Sequence, residues 1–160
     1  METLERILAV HPFFEELDKR HLEILVGCAS NVRFEQGKPI FREGEEAEQF
    51  FLIREGKVVL EQPTPRHGPI VIDTLRAGEV LGWSWLIPPY RWRFNARAIE
   101  PVRAIALDGK CLRGKCESDH DLGFDLLKRF AHITADRLQA TRMQLLHIHE
   151  AWSDLTDGRT

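Results

Sequence analysis

Cysteine is scarce in this chain. Cys28, Cys111 and Cys116 are an odd set of three, which does not make a disulfide framework. They are not clustered as an iron–sulfur centre needs. Charge of one sign is also lacking: 22 basic residues stand against 25 acidic ones, a formal net charge of −3. No global field therefore draws the chain toward nucleic acid or an anionic membrane. No apolar run approaches the ~20 residues of a membrane helix. The opening Met1-Glu2-Thr3-Leu4-Glu5 is acidic where a secretory signal is basic and then apolar. There is no fixed-period repeat, low-complexity tract, P-loop, nucleophile elbow or His-Glu-x-x-His motif, so an enzyme is not expected. A soluble, cytoplasmic protein with no membrane association is the expectation. At 160 residues one domain with a proper core is expected.

What is present divides into three textures. Residues 2–29 carry helical signals. Leu4, Ile7 and Leu8 share a face until His11-Pro12 interrupts the pattern, because proline lacks the donor a helix interior needs. A second helical segment, Phe13 to Ala29, repeats apolar residues at Leu17, Leu22, Leu25 and Val26.

From Asn31 to Leu107 short β-type runs alternate with turn residues. V-R-F-E precedes Gly37, I-F-R-E precedes Gly44, and F-F-L-I-R-E precedes Gly56, followed by K-V-V-L-E. A loop, Pro63 to Gly68, leads into P-I-V-I-D-T-L, and the last pair, Phe94–Ile99 and Val102–Leu107, is joined at Glu100-Pro101. Many short strands with glycine punctuation indicate an antiparallel roll or sandwich rather than βαβ units.

Beyond Asp108 the helical period returns. Ser118-Asp119-His120-Asp121 is a start signal, with Ser118 able to cap and Asp121 suited to the positive helix end. Leu127, Thr134, Thr141 and Ile148 are spaced by seven, as are Ala131, Leu138, Leu145 and Trp152. Together they form a coiled-coil seam, so a homodimer through residues 121–152 is expected.

The stretch that organises the chain is Arg76 to Arg103. It opens on Gly78-Glu79, reaches Gly82, and continues through Trp83, Ser84, Trp85, Pro88, Pro89, Tyr90 and Trp92, with Arg91 and Arg93 interleaved. A strand, a glycine, a short helical turn and a strand can cradle a phosphate with backbone N–H groups.

The glycines carry a pattern. Gly37-x-x-Ile40-x-x-x-Gly44-Glu45, Phe51-x-Ile53-x-x-Gly56-x-Val58-x-Leu60 and Leu75-x-x-Gly78-Glu79-x-Leu81-Gly82 together resemble the cyclic nucleotide-binding domain. Within that family the chain is most similar to effector domains of catabolite-activator-type (Crp/Fnr) bacterial regulators. The resemblance implies an α+β fold, an antiparallel β-roll (jelly roll) flanked by N-terminal helices and a long C-terminal dimerisation helix. It covers residues 1–160 as a single domain: helices in 1–30, the roll in 31–108 with its phosphate-binding cassette at 78–98, and helices in 109–152.

In the family the cassette carries a glutamate for the ribose hydroxyl and an arginine for the cyclic phosphate. Here Trp83 follows Gly82 where the glutamate belongs. The arginine position falls on Trp92 or Arg93. Strand parity favours Trp92, which shares it with Phe94, Ala96 and Ala98, and a bulge before the strand would favour Arg93 instead. Arg137 to Arg142 resembles the stretch that meets the base, with Thr141 keeping one hydroxyl and Arg142 replacing the second. The candidate pocket is therefore Gly82, Trp83, Ser84, Trp85, Trp92, Arg93, Thr141 and Arg142. The sequence ends at Thr160 without the helix-turn-helix segment of DNA-binding relatives, so direct DNA binding is not expected.

Other groupings carry less. Cys111-x4-Cys116-x3-His120 departs from zinc spacing, and His147 and His149 point apart on a helix, so no metal is expected. The carboxylates Glu43, Glu45, Glu46 and Glu48 and the basic group Arg91, Arg93, Arg97 and Arg103 read as solvated faces, the latter with some capacity for an anion. No cofactor is implied beyond a cyclic nucleotide or another small anionic or aromatic ligand. Two functions fit: a stand-alone sensory module that does not bind cyclic AMP in the family's usual way, or a dimeric interaction scaffold whose pocket is filled by its own aromatic side chains.

Overall fold

The structure, a computed structural model, describes residues 3–157. The first helix, α1 (Leu4–Val10), buries Ile7 and Leu8, and its start is capped by Thr3, whose hydroxyl accepts from the Arg6 N–H at 3.3 Å. At His11-Pro12 the helix stops, and Pro12–Phe14 form one 3-10 turn. The expected second helix from Phe13 does not begin there. Glu16 sits at φ 61°, in the left-handed region that no α-helix contains, and Leu17 falls in the connecting turn. Asp18 then accepts from the Arg20 N–H at 2.9 Å and starts α2 (Lys19–Val26), which buries His21, Leu22 and Leu25.

Eight strands follow: β1 (Ala29–Phe34), β2 (Pro39–Phe41), β3 (Gln49–Glu55), β4 (Lys57–Thr64), β5 (Gly68–Arg76), β6 (Val80–Leu81), β7 (Asn95–Ala98) and β8 (Val102–Asp108). They form two four-stranded antiparallel sheets, ordered β1-β8-β3-β6 and β2-β7-β4-β5, the jelly-roll-like arrangement expected. The roll starts two residues earlier than expected, at Ala29, because Ala29 already pairs with Leu107. The loop after β4 is shorter than expected, since Pro63 and Thr64 still pair with Pro69 and Gly68. Val58 and Leu60 of β4 stand opposite Ala98 and Ala96 of β7, and all four are buried. The β3–β4 turn needs its glycine: Gly56 lies at φ 95°, and a Cβ there would meet the Pro101 carbonyl oxygen at 2.3 Å.

After β8, Asp108 caps α3 (Gly109–Ser118) by accepting from the Cys111 N–H at 3.0 Å. Three cysteines make no disulfide framework, but Cys28 and Cys111 form a single disulfide. An odd count excludes complete pairing, not a single pair. The register that sets Ala29 opposite Leu107, with the Asp108 N–H bonded to the Cys28 carbonyl at 2.9 Å, brings the two cysteines together. Cys116 is the free one, half-buried, and burial pushes its thiol pKa up.

The helix α4 (His120–Asp157) is 38 residues long. Its capping group is Asp119 rather than Ser118: the Leu122 N–H donates to the Asp119 carboxylate at 3.2 Å, while the Ser118 hydroxyl turns back to the Gly114 carbonyl. That backbone N–H, chiefly, holds the Asp119 carboxyl below its usual range, with Arg20 and His21 adding to it. The chain divides into two compact units, the first running to Gly123 and the second beginning at Phe124. In the second unit the helix leaves Leu127, Leu138, Leu145, Ile148 and Trp152 about half exposed or more. No helix of the described residues is long and apolar enough to cross a membrane.

Candidate functional site

The cassette begins at a turn closed by its own carboxylate. Glu79 accepts from the Arg76 N–H at 2.9 Å, and the Gly78 N–H donates to the Ile53 carbonyl at 2.9 Å. β6 then pairs Leu81 and Val80 with Phe51 and Leu52 and delivers Gly82 at φ 97°. Sequence reasoning missed this strand, because two residues are too few to show alternation.

Gly82 meets the Trp92 indole. A Cβ built on Gly82 would lie 2.6 Å from the ring, so the glycine is what admits the tryptophan. Trp92 is buried and stacks on Phe41 with ring centroids 3.7 Å apart and planes within 6°. Phe94 packs on the same Phe41 ring at 5.7 Å. Backbone bonds lock the pair of segments together: the Gly44 N–H donates to the Trp92 carbonyl at 2.9 Å and the Trp92 N–H to the Glu45 carbonyl at 3.0 Å.

Trp85 forms a second aromatic stack. It is wholly buried and lies on Phe50 at 4.9 Å. The buried Ser84 hydroxyl between the tryptophans has no hydrogen-bond partner among the described residues. Trp83 is half-buried, and the exposed Arg93 lies over its ring at 5.5 Å, a cation–π contact. Midway through the cassette the chain passes a cis Pro88–Pro89 bond and Tyr90 at φ 59°, with the Arg113 guanidinium 4.3 Å from the Tyr90 ring and bonded to the Trp85 carbonyl.

Inward-facing Phe94, Ala96 and Ala98 alternate with half-exposed Asn95, Arg97 and Ile99, and Trp92 is buried while Arg93 is exposed. The basic group Arg91, Arg93, Arg97 and Arg103 does not assemble. Arg91 donates to the Gly44 carbonyl, Arg97 makes a two-pronged bond to buried Glu61 at 3.1 and 3.3 Å, and Arg103 faces Glu55. The Glu61 contact raises the Arg97 pKa further. The carboxylates gather instead: Glu45, Glu46 and Glu48 line a recess of about 140 Å³ with Phe41 and Trp92. That sign is wrong for a phosphate.

Thr141 and Arg142 lie in the second unit, both exposed, with the Thr141 hydroxyl donating to the Arg137 carbonyl at 2.8 Å. The Thr134 hydroxyl bonds in the same way to Phe130. No group of three or more potential metal ligands occurs among the described residues.

With this geometry in hand the class is clear: the chain belongs to the cyclic nucleotide-binding domain family, whose sequence model matches residues 31–119. It is 36% identical over 87 residues to human cGMP-dependent protein kinase 2, covering 54% of this chain and 11% of the kinase. It is 24% identical over 142 residues to a CRP-like cAMP-activated global transcriptional regulator of Mycobacterium tuberculosis, covering 89% of this chain and 62% of the regulator. The chain thus spans about a tenth of the first relative and under two thirds of the second. Among solved structures, a Geobacter metallireducens protein of the cyclic nucleotide-binding class superposes with a TM-score of 0.77 at 29% identity, covering 86% of this chain and 99% of that one. The Thermus thermophilus catabolite activator protein gives 0.68 at 23% identity, covering 86% and 63%.

Proposed function

We propose that this domain is a regulatory module in which the family's nucleotide pocket has become part of the core. In this reading Trp92 stands where relatives place the phosphate-binding arginine, and Trp83 where they place the ribose acceptor. One observation carries it: the Trp92 indole lies against Gly82 and is stacked on Phe41. A charge-assisted arginine contact contributes about 1.5–3 kcal/mol per hydrogen bond. Loss of that contact together with the ribose acceptor lowers affinity by more than ~100-fold.

The relatives' names tie their domains to cyclic GMP and cyclic AMP signalling. This domain keeps the frame of such a signal reader without the phosphate chemistry. Its output runs through association: the apolar stripe of α4 pairs two copies as a homodimer, and the module acts on partners through that dimer. Neither catalysis nor direct DNA contact forms part of the proposal. A cytoplasmic setting does, and there the Cys28–Cys111 bond is open to exchange with thiol reductants. A calorimetric screen of cyclic AMP, cyclic GMP and cyclic dinucleotides against the purified protein tests the reading. No saturable heat at micromolar ligand is expected, and saturation by any of them would refute the filled pocket.

A further inference from the structure

A second site lies on the β1-β8-β3-β6 sheet and shares no residue with the cassette. A recess of about 420 Å³ is lined by Asn31 and Arg33 of β1, Arg54 of β3, Arg103 of β8 and Ile7 of α1. That is within the range of small-ligand sites. Its content of charge is unusual for a chain of net charge −3.

The register explains how the charges meet. Arg33 and Arg103 are direct partners across the antiparallel β1–β8 pair, so their side chains leave the sheet on the same face. Like charges placed directly opposite destabilise a sheet. Phe34, the next residue of β1, points the other way and meets Phe51 at 5.6 Å, which fixes the parity. The β3–β8 register shifts between Ile53 and Glu55, so Arg54 is the extra residue of a bulge, the device that re-aims a side chain. Nearby, Glu55 answers Arg103 at 3.6 Å across an exposed pair, and Arg33 has no ion-pair partner among the described residues. Arg33 and Arg103 thus face one solvent-screened carboxylate.

We infer that this recess binds a small anion carrying two or more phosphoryl groups, held between Arg33 and Arg103. Guanidinium forks match phosphoryl oxygens with paired, charge-assisted hydrogen bonds. The Asn31 amide supplies a neutral donor, and two cations on adjacent strands suit an anion whose charges are themselves spaced by one bridging atom.

Inorganic pyrophosphate is the probe, titrated calorimetrically into the full chain at low salt, with orthophosphate as the single-group comparison. Saturable binding of pyrophosphate below about 1 mM, tighter than orthophosphate, is expected. Arg33→Gln and Arg103→Gln should each weaken it by at least about tenfold, and both side chains are exposed enough for the variants to fold. Glu55→Gln removes the competing carboxylate and should tighten binding, which a purely structural role would not produce. Trp83→Glu should leave it unchanged, separating this site from the cassette. Absence of saturation, equal affinity for orthophosphate, or indifference to both arginine changes would overturn the inference.

Discussion

His11 shows how one side chain serves two elements. Its Nδ1 accepts from the Phe13 N–H at 3.2 Å, which fixes the tautomer, so Nε2 carries the proton and donates to the Ile53 carbonyl at 3.3 Å. That carbonyl also accepts from Gly78 at the start of the cassette. Burial lowers the His11 pKa below its ordinary 6.5, outweighing the Ile53 bond that raises it. The unfolded chain therefore binds more protons than the folded one as pH falls below 6.5. Stability should be full above that value and drop as pH falls toward the folded-state pKa, since a proton on Nδ1 also abolishes the Phe13 contact. Thermal melts across this range should show the slope, and His11→Gln should flatten it. An unchanged slope would assign it to other groups.

The Gly82–Trp92 contact is testable at the same scale. Trp92→Ala should cost about 3–5 kcal/mol, as deletion of a buried aromatic does. Gly82→Ala in the wild-type background must strain φ and displace the indole, while in the Trp92→Ala background only the φ strain, about 1–3 kcal/mol, persists. Urea denaturation of the four proteins should give a coupling in that direction. Strict additivity would mean the two residues do not touch.

At the scale of elements, legibility in the sequence depended on length and periodicity. The strand pairs around Gly56 and Glu100-Pro101 were readable because apolar alternation ran for several residues between obligatory turns. β6 was not, and the late start of α2 was hidden because Glu16, not glycine or proline, takes the left-handed conformation. The cap of α4 shifted by one residue, Asp119 for Ser118, since both are good caps and only the fold chooses. The stripe on α4 yields its own prediction. Leu138→Asp with Leu145→Asp places charge on the exposed seam and should convert a dimer to monomers, read by light scattering. Unchanged mass would remove α4 from the interface.

For the whole molecule, the fold was legible because the jelly-roll turns require glycine, and the sequence displays those glycines at family spacing. The candidate site was legible only in part. Parity on β7 pointed Trp92 inward, but nothing local in the sequence shows that Phe41, fifty-one positions earlier, supplies the stacking face, or that Glu45 and Glu48 line the adjoining recess. The Arg33–Arg103 opposition was equally hidden, because it exists only once β1 and β8 are in register. Such long-range pairings are set by the fold and not by neighbours in the chain.

Closure of the pocket beside Gly82 by this chain's own aromatic residues, as proposed, can be read out by a cyclic AMP titration followed by tryptophan fluorescence, on wild type and on Trp83→Glu with Trp92→Arg. The double variant places an unpaired buried cation in the core and should melt earlier, and cyclic AMP should restore stability as it binds. A pocket filled in this way leaves the wild type silent and lets the variant gain binding. Wild-type saturation near micromolar cyclic AMP would mean that the pocket is open.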